Sequence, residues 1–341
     1  MRAAILGTGL IGASIGQGLR AAGWEVAAWD PATDALAEAG AHGAYDEALP
    51  DGTLAGAGPL DLVVLAGPPE AVVATVAELA TDSLVMDVAG VKQPVLAANR
   101  LARFVGTHPM AGREVSGPAA ASAALFRGAA WVVVADGAAE ADVEAVEGIV
   151  RLLGARPLRM GAAEHDTAVA AISHLPQVLA AALLQEAAAE TGALDLAAGS
   201  FRDLTRVAAS DPAVWVQLLG ANRDAVLAAI AGVRGRLDAV AGALAGGGEE
   251  SASVLSFLSS ARELRLAMAP PVVEVRVALA DQPGELAKVG RAFERSAVDV
   301  RDLQLRHSPH GGGGVLTISV RHGEGETLRA ALVAEGLLVA D

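Results

Sequence analysis

The chain has 341 residues, two to three times a common domain of roughly 100–150, so more than one core is expected. It has no cysteine, which excludes disulfides, thiol nucleophiles and cysteine-held metal centres, and its net charge of −15 argues against nucleic acid or anionic lipid as a partner. Apolar residues reach 53% but aromatics only 3%, so Ala, Val and Leu must fill the cores.

Apolar runs at Arg2–Leu6, Glu25–Trp29, Leu60–Leu65, Ser83–Asp87, Phe104–Thr107 and Trp131–Ala135 alternate with helical patterns such as Ala141–Leu153. Strands alternating with helices predict an α/β domain, a Rossmann-type doubly wound parallel sheet, over residues 1–160. After the first run, Gly7-Thr8-Gly9-Leu10-Ile11-Gly12 fits GxGxxG. Glycines also mark ordinary turns, but this set follows a strand, opens a helix, and precedes an acidic residue, Asp30, at the end of the second strand. Gly7 allows the tight turn, Gly9 lets the backbone approach a pyrophosphate, and Gly12 permits close helix–sheet packing. Leu10 and Ile11 begin the helix whose N-terminal amides and dipole favour phosphate. Asp30 suits ribose hydroxyls and repels a 2′-phosphate, and Pro31-Ala32-Thr33 offers no arginine, so NAD is expected rather than NADP. FAD would suit the fingerprint alone, but later segments point elsewhere.

Thr107-His108-Pro109-Met110-Ala111-Gly112 follows the fifth strand, where an open sheet places its ligands. A neutral imidazole there can take a proton from a substrate hydroxyl; a histidine that only caps the strand is the plainer alternative.

Over residues 161–268 the strand signal stops and Ala/Leu-rich helical stretches take over, apolar enough to expect a helix-mediated homodimer. Residues Thr167 to Gln185 lack charge over a bilayer-spanning length, yet Ser173, His174, Pro176 and Gln177 favour a buried helix. The uncharged stretch between Arg2 and Arg20 imitates a signal peptide but is broken by its glycines. A soluble, cytoplasmic protein that neither enters a membrane nor binds nucleic acid is expected. His165 and His174 lie nine residues apart, which at about 100° per residue puts them on opposite faces of a continuous helix. Pro176 frees the carbonyl of Ile172 and kinks the helix beside His174, the better site candidate; His165 is expected at a helix start or interface. Their spacing gives no metal signature. Asp203 and Arg206 share a helical face, either as a surface pair or, given apolar surroundings and Trp215 in the next helix, with Arg206 in a cleft suited to bidentate recognition of a carboxylate.

Ala269-Pro270-Pro271 reads as a linker. Over residues 272–341, Val273, Val275, Val277 and Leu279 alternate as in a strand, Asp281-Gln282-Pro283-Gly284 makes a turn, and the succession of patterns is βαββαβ, a ferredoxin-like small domain.

Gly9-Leu10-Ile11-Gly12 with Ser14, Asp87-Val88 with Val91-Lys92, and His108-Pro109-Met110-Ala111-Gly112 with Glu114, Ser116 and Gly117 resemble the prephenate/arogenate dehydrogenases. So do His165-Asp166, Ser173-His174-Leu175-Pro176, and Asp203-Leu204-Thr205-Arg206-Val207-Ala208 with Ser210-Asp211-Pro212 and Trp215. The resemblance covers about the first 265 residues, and the linked motifs in order make it specific. The last segment is similar to an ACT domain through Asp281-Gln282-Pro283-Gly284-Glu285-Leu286, a fold that commonly binds amino acids. The resemblance implies oxidative decarboxylation of prephenate or arogenate in tyrosine biosynthesis, with His108 polarising or deprotonating the ring hydroxyl and Arg206 binding a carboxylate. It further implies that His174 contacts substrate, that Trp215 lies with it in the substrate site, and that Glu114 and Asp203 hold Arg206 or gate the cleft. Asp281, Pro283 and Gly284 would form a regulatory site for tyrosine. One position departs from the family: members often carry Ser two residues before the lysine matched by Lys92, and this chain has Gly90.

A β-hydroxyacid dehydrogenase shares the Rossmann-plus-helical plan but usually needs a catalytic lysine in its helical region, and none occurs between Lys92 and Lys288. A non-catalytic amino-acid sensor is the reading from another class, and the retained His108, Arg206 and glycine loop argue against it.

Overall fold

The computed structural model describes residues 1–112, 117–246, 251–268, 272–307 and 313–340. They fall into two compact units, Met1–Gly235 and Arg236–Asp341. The first unit opens with β1 (Arg2–Leu6), α1 (Leu10–Ala21), β2 (Glu25–Trp29), α2 (Thr33–Ala41), β3 (Glu47–Ala48), β4 (Leu62–Leu65), α3 (Pro69–Glu78), β5 (Leu84–Asp87) and α4 (Gln93–Ala98). It continues with β6 (Phe104–Pro109), β7 (Ala130–Val134), α5 (Glu140–Leu152) and β8 (Arg156–Met160). These strands form an eight-stranded sheet in the order β3-β2-β1-β4-β5-β6-β7-β8.

Both faces of the sheet are covered, and alternation along each strand decides which face a residue serves. Ala3, Ile5, Val26, Leu62, Val64 and Met86 join Ile15 and Leu19 of α1 and Val143 and Val146 of α5 in one core. Ala4, Leu6, Ala27, Val63, Leu65 and Val85 join Val72 and Val76 of α3 and Val95 of α4 in the other. Small aliphatics make up most of both, with Trp24, Phe126 and Trp131 the aromatics of the first and Phe104 that of the second; the rings of Phe126 and Trp131 lie 4.8 Å apart.

The sheet departs from the all-parallel expectation at β7, which runs antiparallel to β6, with β8 parallel to β7. That reversal lengthens β6 beyond the predicted end at Thr107: His108 pairs with Val132 and Pro109 with Trp131, so His108 sits within the strand rather than after it.

Next come α6 (Ala162–Val169), a π-helical stretch (Ala170–His174) and α7 (Leu175–Ala189), then α8 (Gly199–Thr205), α9 (Pro212–Ala221) and α10 (Arg223–Gly246), within which the division between units falls. Asp211 caps α9, accepting from the Ala213 amide at 2.9 Å, with Pro212 in the first turn as expected. The span Ala162–Ala189 is long and apolar enough to cross a membrane by length and composition. Only 33% of its most apolar window is buried, so the expectation of a buried helix holds for one face, and Leu179, Leu183 and Leu184 are exposed.

The second unit holds α11 (Ser251–Met268), β9 (Val272–Leu279), α12 (Glu285–Ser296), β10 (Val300–His307), β11 (Gly314–Arg321), α13 (Gly325–Ala334) and β12 (Leu338–Ala340). Its four strands form an antiparallel sheet in the order β10-β11-β9-β12. The alternation along β9 buries Val275, Val277 and Leu279 against Val289 and Ala292 of α12 and Leu328 and Leu332 of α13. The expected linker at residues 269–271 lies outside the described residues.

Candidate active site

The glycine loop joins β1 to α1. Gly7 has φ +103°, and a Cβ there would lie 2.6 Å from the Ala66 carbonyl carbon; at Gly12 it would fall 2.0 Å from the Gly7 oxygen. Neither position can carry a side chain without moving backbone. Gly9 differs: nothing lies within 4 Å of an added Cβ, so the backbone faces open space just before Leu10 and Ile11 begin α1. Asp30, at the end of β2, accepts from the Thr8 amide at 2.7 Å and hydroxyl at 3.2 Å, and from the Ala32 amide at 2.9 Å. The carboxylate is thereby fixed beside the loop. A cavity of about 530 Å³ opens there, lined by Gly7, Gly9, Trp29, Asp30 and Pro68 among others.

At the carboxyl end of β6, Nδ1 of His108 lies 2.9 Å from Nε2 of His165. His165 Nδ1 lies 2.8 Å from Oδ1 of Asp166, whose two oxygens also accept from the backbone amides of Lys92 and Gln93 at 2.8 Å each. The helical segment is thus tied to the first turn of α4. Asn222 donates to the Asp166 carbonyl at 2.7 Å, and the same amide nitrogen is 3.2 Å from Nδ1 of His174. A carbonyl only accepts, so Asn222 presents its NH₂ group, His174 Nδ1 accepts, and His174 keeps a proton on Nε2. Trp215 meets the His174 ring edge-on, with centroids 6.1 Å apart.

Beneath His108, Lys92 and Asp87 form a fully buried ion pair; Nζ also donates to the Thr107 carbonyl at 2.7 Å, and Trp131 Nε1 donates to the Thr107 hydroxyl at 2.9 Å. Burial lowers the Lys92 pKa, with Asp87 and Asp166 opposing. Burial, reinforced by His165, Lys92 and His174 and opposed by Asp166, brings the His108 pKa down to about 3, so its ring is neutral near pH 7. Burial also lowers His174, against the pull of Asp166. For Asp166, burial pushes upward, but the bonds from His165 and the Gln93 and Lys92 amides outweigh it and the carboxyl stays below its ordinary range.

His165 and His174 both belong to this cluster, which corrects the expectation that at most one would face a given cleft. His165 lies in the first turn of α6, the helix start that was expected, but it is 1% exposed and bonded to His108, so it belongs to the site as well. The opposite-faces expectation assumed α geometry throughout, whereas the π-helical stretch Ala170–His174 turns less per residue and changes the phase between the two rings.

Arg206 opens a 3₁₀ turn, Arg206–Ala209, that packs against α7, while Asp203 lies in α8; both side chains are exposed, so Arg206 is not enclosed in an apolar cleft. Glu114 lies outside the described residues. Gly90 adjoins the catalytic candidate: an added Cβ would be 3.8 Å from His108 Nε2 and 3.0 Å from Cδ2 of Leu218. In the second unit, Asp281, Pro283 and Gly284 (φ +95°) turn the chain from β9 into α12 and line a cavity of about 280 Å³ with Leu305 and His307.

The family profile described as prephenate dehydrogenase, nucleotide-binding domain, matches residues 15–159, and the one described as prephenate dehydrogenase, dimerization domain, matches residues 161–257. The chain is 31% identical to the "Probable prephenate dehydrogenase NovF" of Streptomyces niveus, over 96% of each chain. It is 27% identical to the prephenate dehydrogenase of Bacillus subtilis, over 92% of this chain and 91% of that one. Among solved structures, Synechocystis arogenate dehydrogenase superposes with a TM-score of 0.67 and 26% identity, over 79% of this chain and 100% of that one. Prephenate dehydrogenase from Aquifex aeolicus, crystallised with hydroxyphenyl propionate and NAD+, shares the fold with a TM-score of 0.71 and 24% identity, over 79% and 98%.

Proposed function

The chain belongs to the prephenate dehydrogenase family of oxidoreductases, and from that premise we propose that it catalyses NAD-dependent oxidative decarboxylation of prephenate to 4-hydroxyphenylpyruvate, or of arogenate to tyrosine. The observation that carries the proposal is the state of His108: a neutral ring at the carboxyl end of β6, held at Nδ1, with no bond to Nε2 among the described residues. Nε2 takes the proton of the ring hydroxyl as the carbon bearing it gives up its hydrogen as hydride. Loss of carbon dioxide then returns electrons to the ring, and the proton on His108 is available to the phenol oxygen that forms.

The open backbone at Gly9, the clash-limited Gly7 and Gly12, and the cavity beside Asp30 fit a dinucleotide, with the amides of Leu10 and Ile11 toward its phosphates. When bound, the nicotinamide supplies the hydride acceptor. Asp30, already anchored by Thr8, disfavours a 2′-phosphate, which supports NAD over NADP. Arg206 anchors a substrate carboxylate, Glu114 and Asp203 act as its ionic partners, and His174, backed by Trp215, offers Nε2–H to the substrate.

We divide the chain into a Rossmann domain (1–160), a helical substrate and dimerisation domain (161–268) and an ACT-like, ferredoxin-like domain (272–341). Exposed Leu183 on α7 and Val216 on α9, the latter 71% exposed, support burial against a second copy in a homodimer. The βαββαβ order and the cavity at Asp281–Gly284 support an amino-acid effector, with tyrosine as the feedback ligand. A cytoplasmic location accords with a biosynthetic enzyme of this kind.

The test is a grid of initial rates with prephenate or arogenate and NAD+ or NADP+, repeated with added tyrosine. Activity is expected with NAD+ and at least one substrate, inhibited by tyrosine. Folded protein inactive in all four combinations refutes the reaction, and rates unchanged by tyrosine refute the effector alone.

A further inference from the structure

Asp166, His165 and His108 form a continuous hydrogen-bonded file, from the first turn of α4 to the carboxyl end of β6. The donors can be assigned from one end. Asp166 is ionised and only accepts, so Nδ1 of His165 must be the donor at 2.8 Å. When that is the one proton on the ring, Nε2 of His165 has only a lone pair, and the 2.9 Å contact is made by a proton on Nδ1 of His108. The opposite tautomer of His108 would set two lone pairs against each other and place its proton on the nitrogen meant to act as base. Nothing on the other edge of the ring makes this choice: Gly90 has no side chain, and among the described residues the His108 ring is hydrogen-bonded only to His165.

We propose that His165 is a positioning residue: it fixes His108 in the Nδ1–H tautomer, keeps Nε2 as the base, and relays the field of Asp166 to the imidazolium formed in the reaction. The inference rests on the reading of His108 as the base. When Nε2 gains the hydroxyl proton, the Nδ1–H bond to His165 persists and the His165 Nδ1–H bond to Asp166 persists, so no second proton transfer is required. His165, Lys92 and His174 all disfavour the charged form of His108, and Asp166 is the group that favours it, so the help His165 gives is the tautomer it fixes and the carboxylate it links to. Both His165 and Asp166 are 1% exposed, which leaves the file shielded from bulk water.

Two variants separate positioning from packing. His165→Phe retains the ring volume without an acceptor, whereas His165→Gln offers a carbonyl oxygen where Nε2 stands. His165→Phe is expected to lower kcat by about 10²–10⁴, the scale of losing a correctly set acid–base catalyst, with KM values within about threefold. His165→Gln should recover at least tenfold of that loss. A role in packing alone predicts the reverse order, and kcat in His165→Phe equal to wild type overturns the proposal. An activity-independent arm uses ¹⁵N-histidine NMR of the wild-type protein, with the His108 ring assigned by its loss in His108→Asn. An Nδ1–H signature is expected, shifting toward a tautomer mixture in His165→Phe, and an Nε2–H signature in wild type overturns the proposal. If wild type turns over neither substrate, the functional reading fails, while the NMR result still decides the tautomer.

Discussion

Replacing Lys92 with Met tests the buried ion pair beneath the site. Both partners are 0% exposed. Without Nζ, the Asp87 carboxylate keeps two amide donors, Ala89 at 2.9 Å and Thr107 at 3.0 Å, and the Thr107 carbonyl loses its 2.7 Å bond. Breaking one partner of a buried pair costs about 3–5 kcal/mol, because the remaining charge stays buried and only partly compensated. That is a large share of a domain's stability of about 5–15 kcal/mol. Urea unfolding followed by tryptophan fluorescence suits the measurement, since Trp24, Trp29, Trp131 and Trp215 are the chain's four tryptophans and all lie in the first unit. The midpoint should fall with little change in m. Combining Lys92→Met with Asp87→Asn removes the unpaired charge, so the coupling between the two changes should be at least about 2 kcal/mol. A loss below about 1 kcal/mol in Lys92→Met, or additive single effects, would refute this account.

Arg206→Ala should raise the KM for substrate at least tenfold with a smaller change in kcat, read from initial rates; an effect confined to kcat contradicts a carboxylate anchor. Asp30→Ser should raise the KM for NAD+ and lower that for NADP+, so a cofactor preference unchanged from wild type removes Asp30 from ribose recognition. The unfolded chain protonates His108 near pH 6.5 while the folded one resists to about 3, so the unfolded state binds more protons in between and stability rises with pH across that window. His174, also lowered, acts in the same direction. The urea midpoint should therefore drop between pH 7 and 5, less steeply in His108→Asn, and a midpoint that holds or rises refutes it.

Where periodicity or a glycine constraint governs, the chain is legible from its residues. The strands of both cores follow from continuous apolar runs, as a sheet buried on both faces requires, and the dinucleotide loop follows from Gly7 and Gly12, because a Cβ at either would collide with backbone. Strand direction is different: β7 is apolar and β-branched whichever way it runs, so its reversal against β6 leaves no local trace. β3 has two residues, and β8, Arg-Pro-Leu-Arg-Met, is an edge strand with no fully buried position, so neither carries a usable pattern. The role of His165 was hidden by a helix that changes type between the two histidines. Two signals nonetheless pointed there: an acidic neighbour at Asp166 and a proline at 176, just beyond the irregular turn.

Lys92 has a consequence for chemical labelling. The sequence contains one other lysine, Lys288, whose side chain is 34% exposed, whereas that of Lys92 is 0% exposed. Acylating reagents will therefore modify the side chain of Lys288 in the native protein and reach Lys92 only when the first unit opens. The rate at which Lys92 acquires the label becomes a mass-spectrometric clock for that opening, with Lys288 in the same molecule as the internal standard.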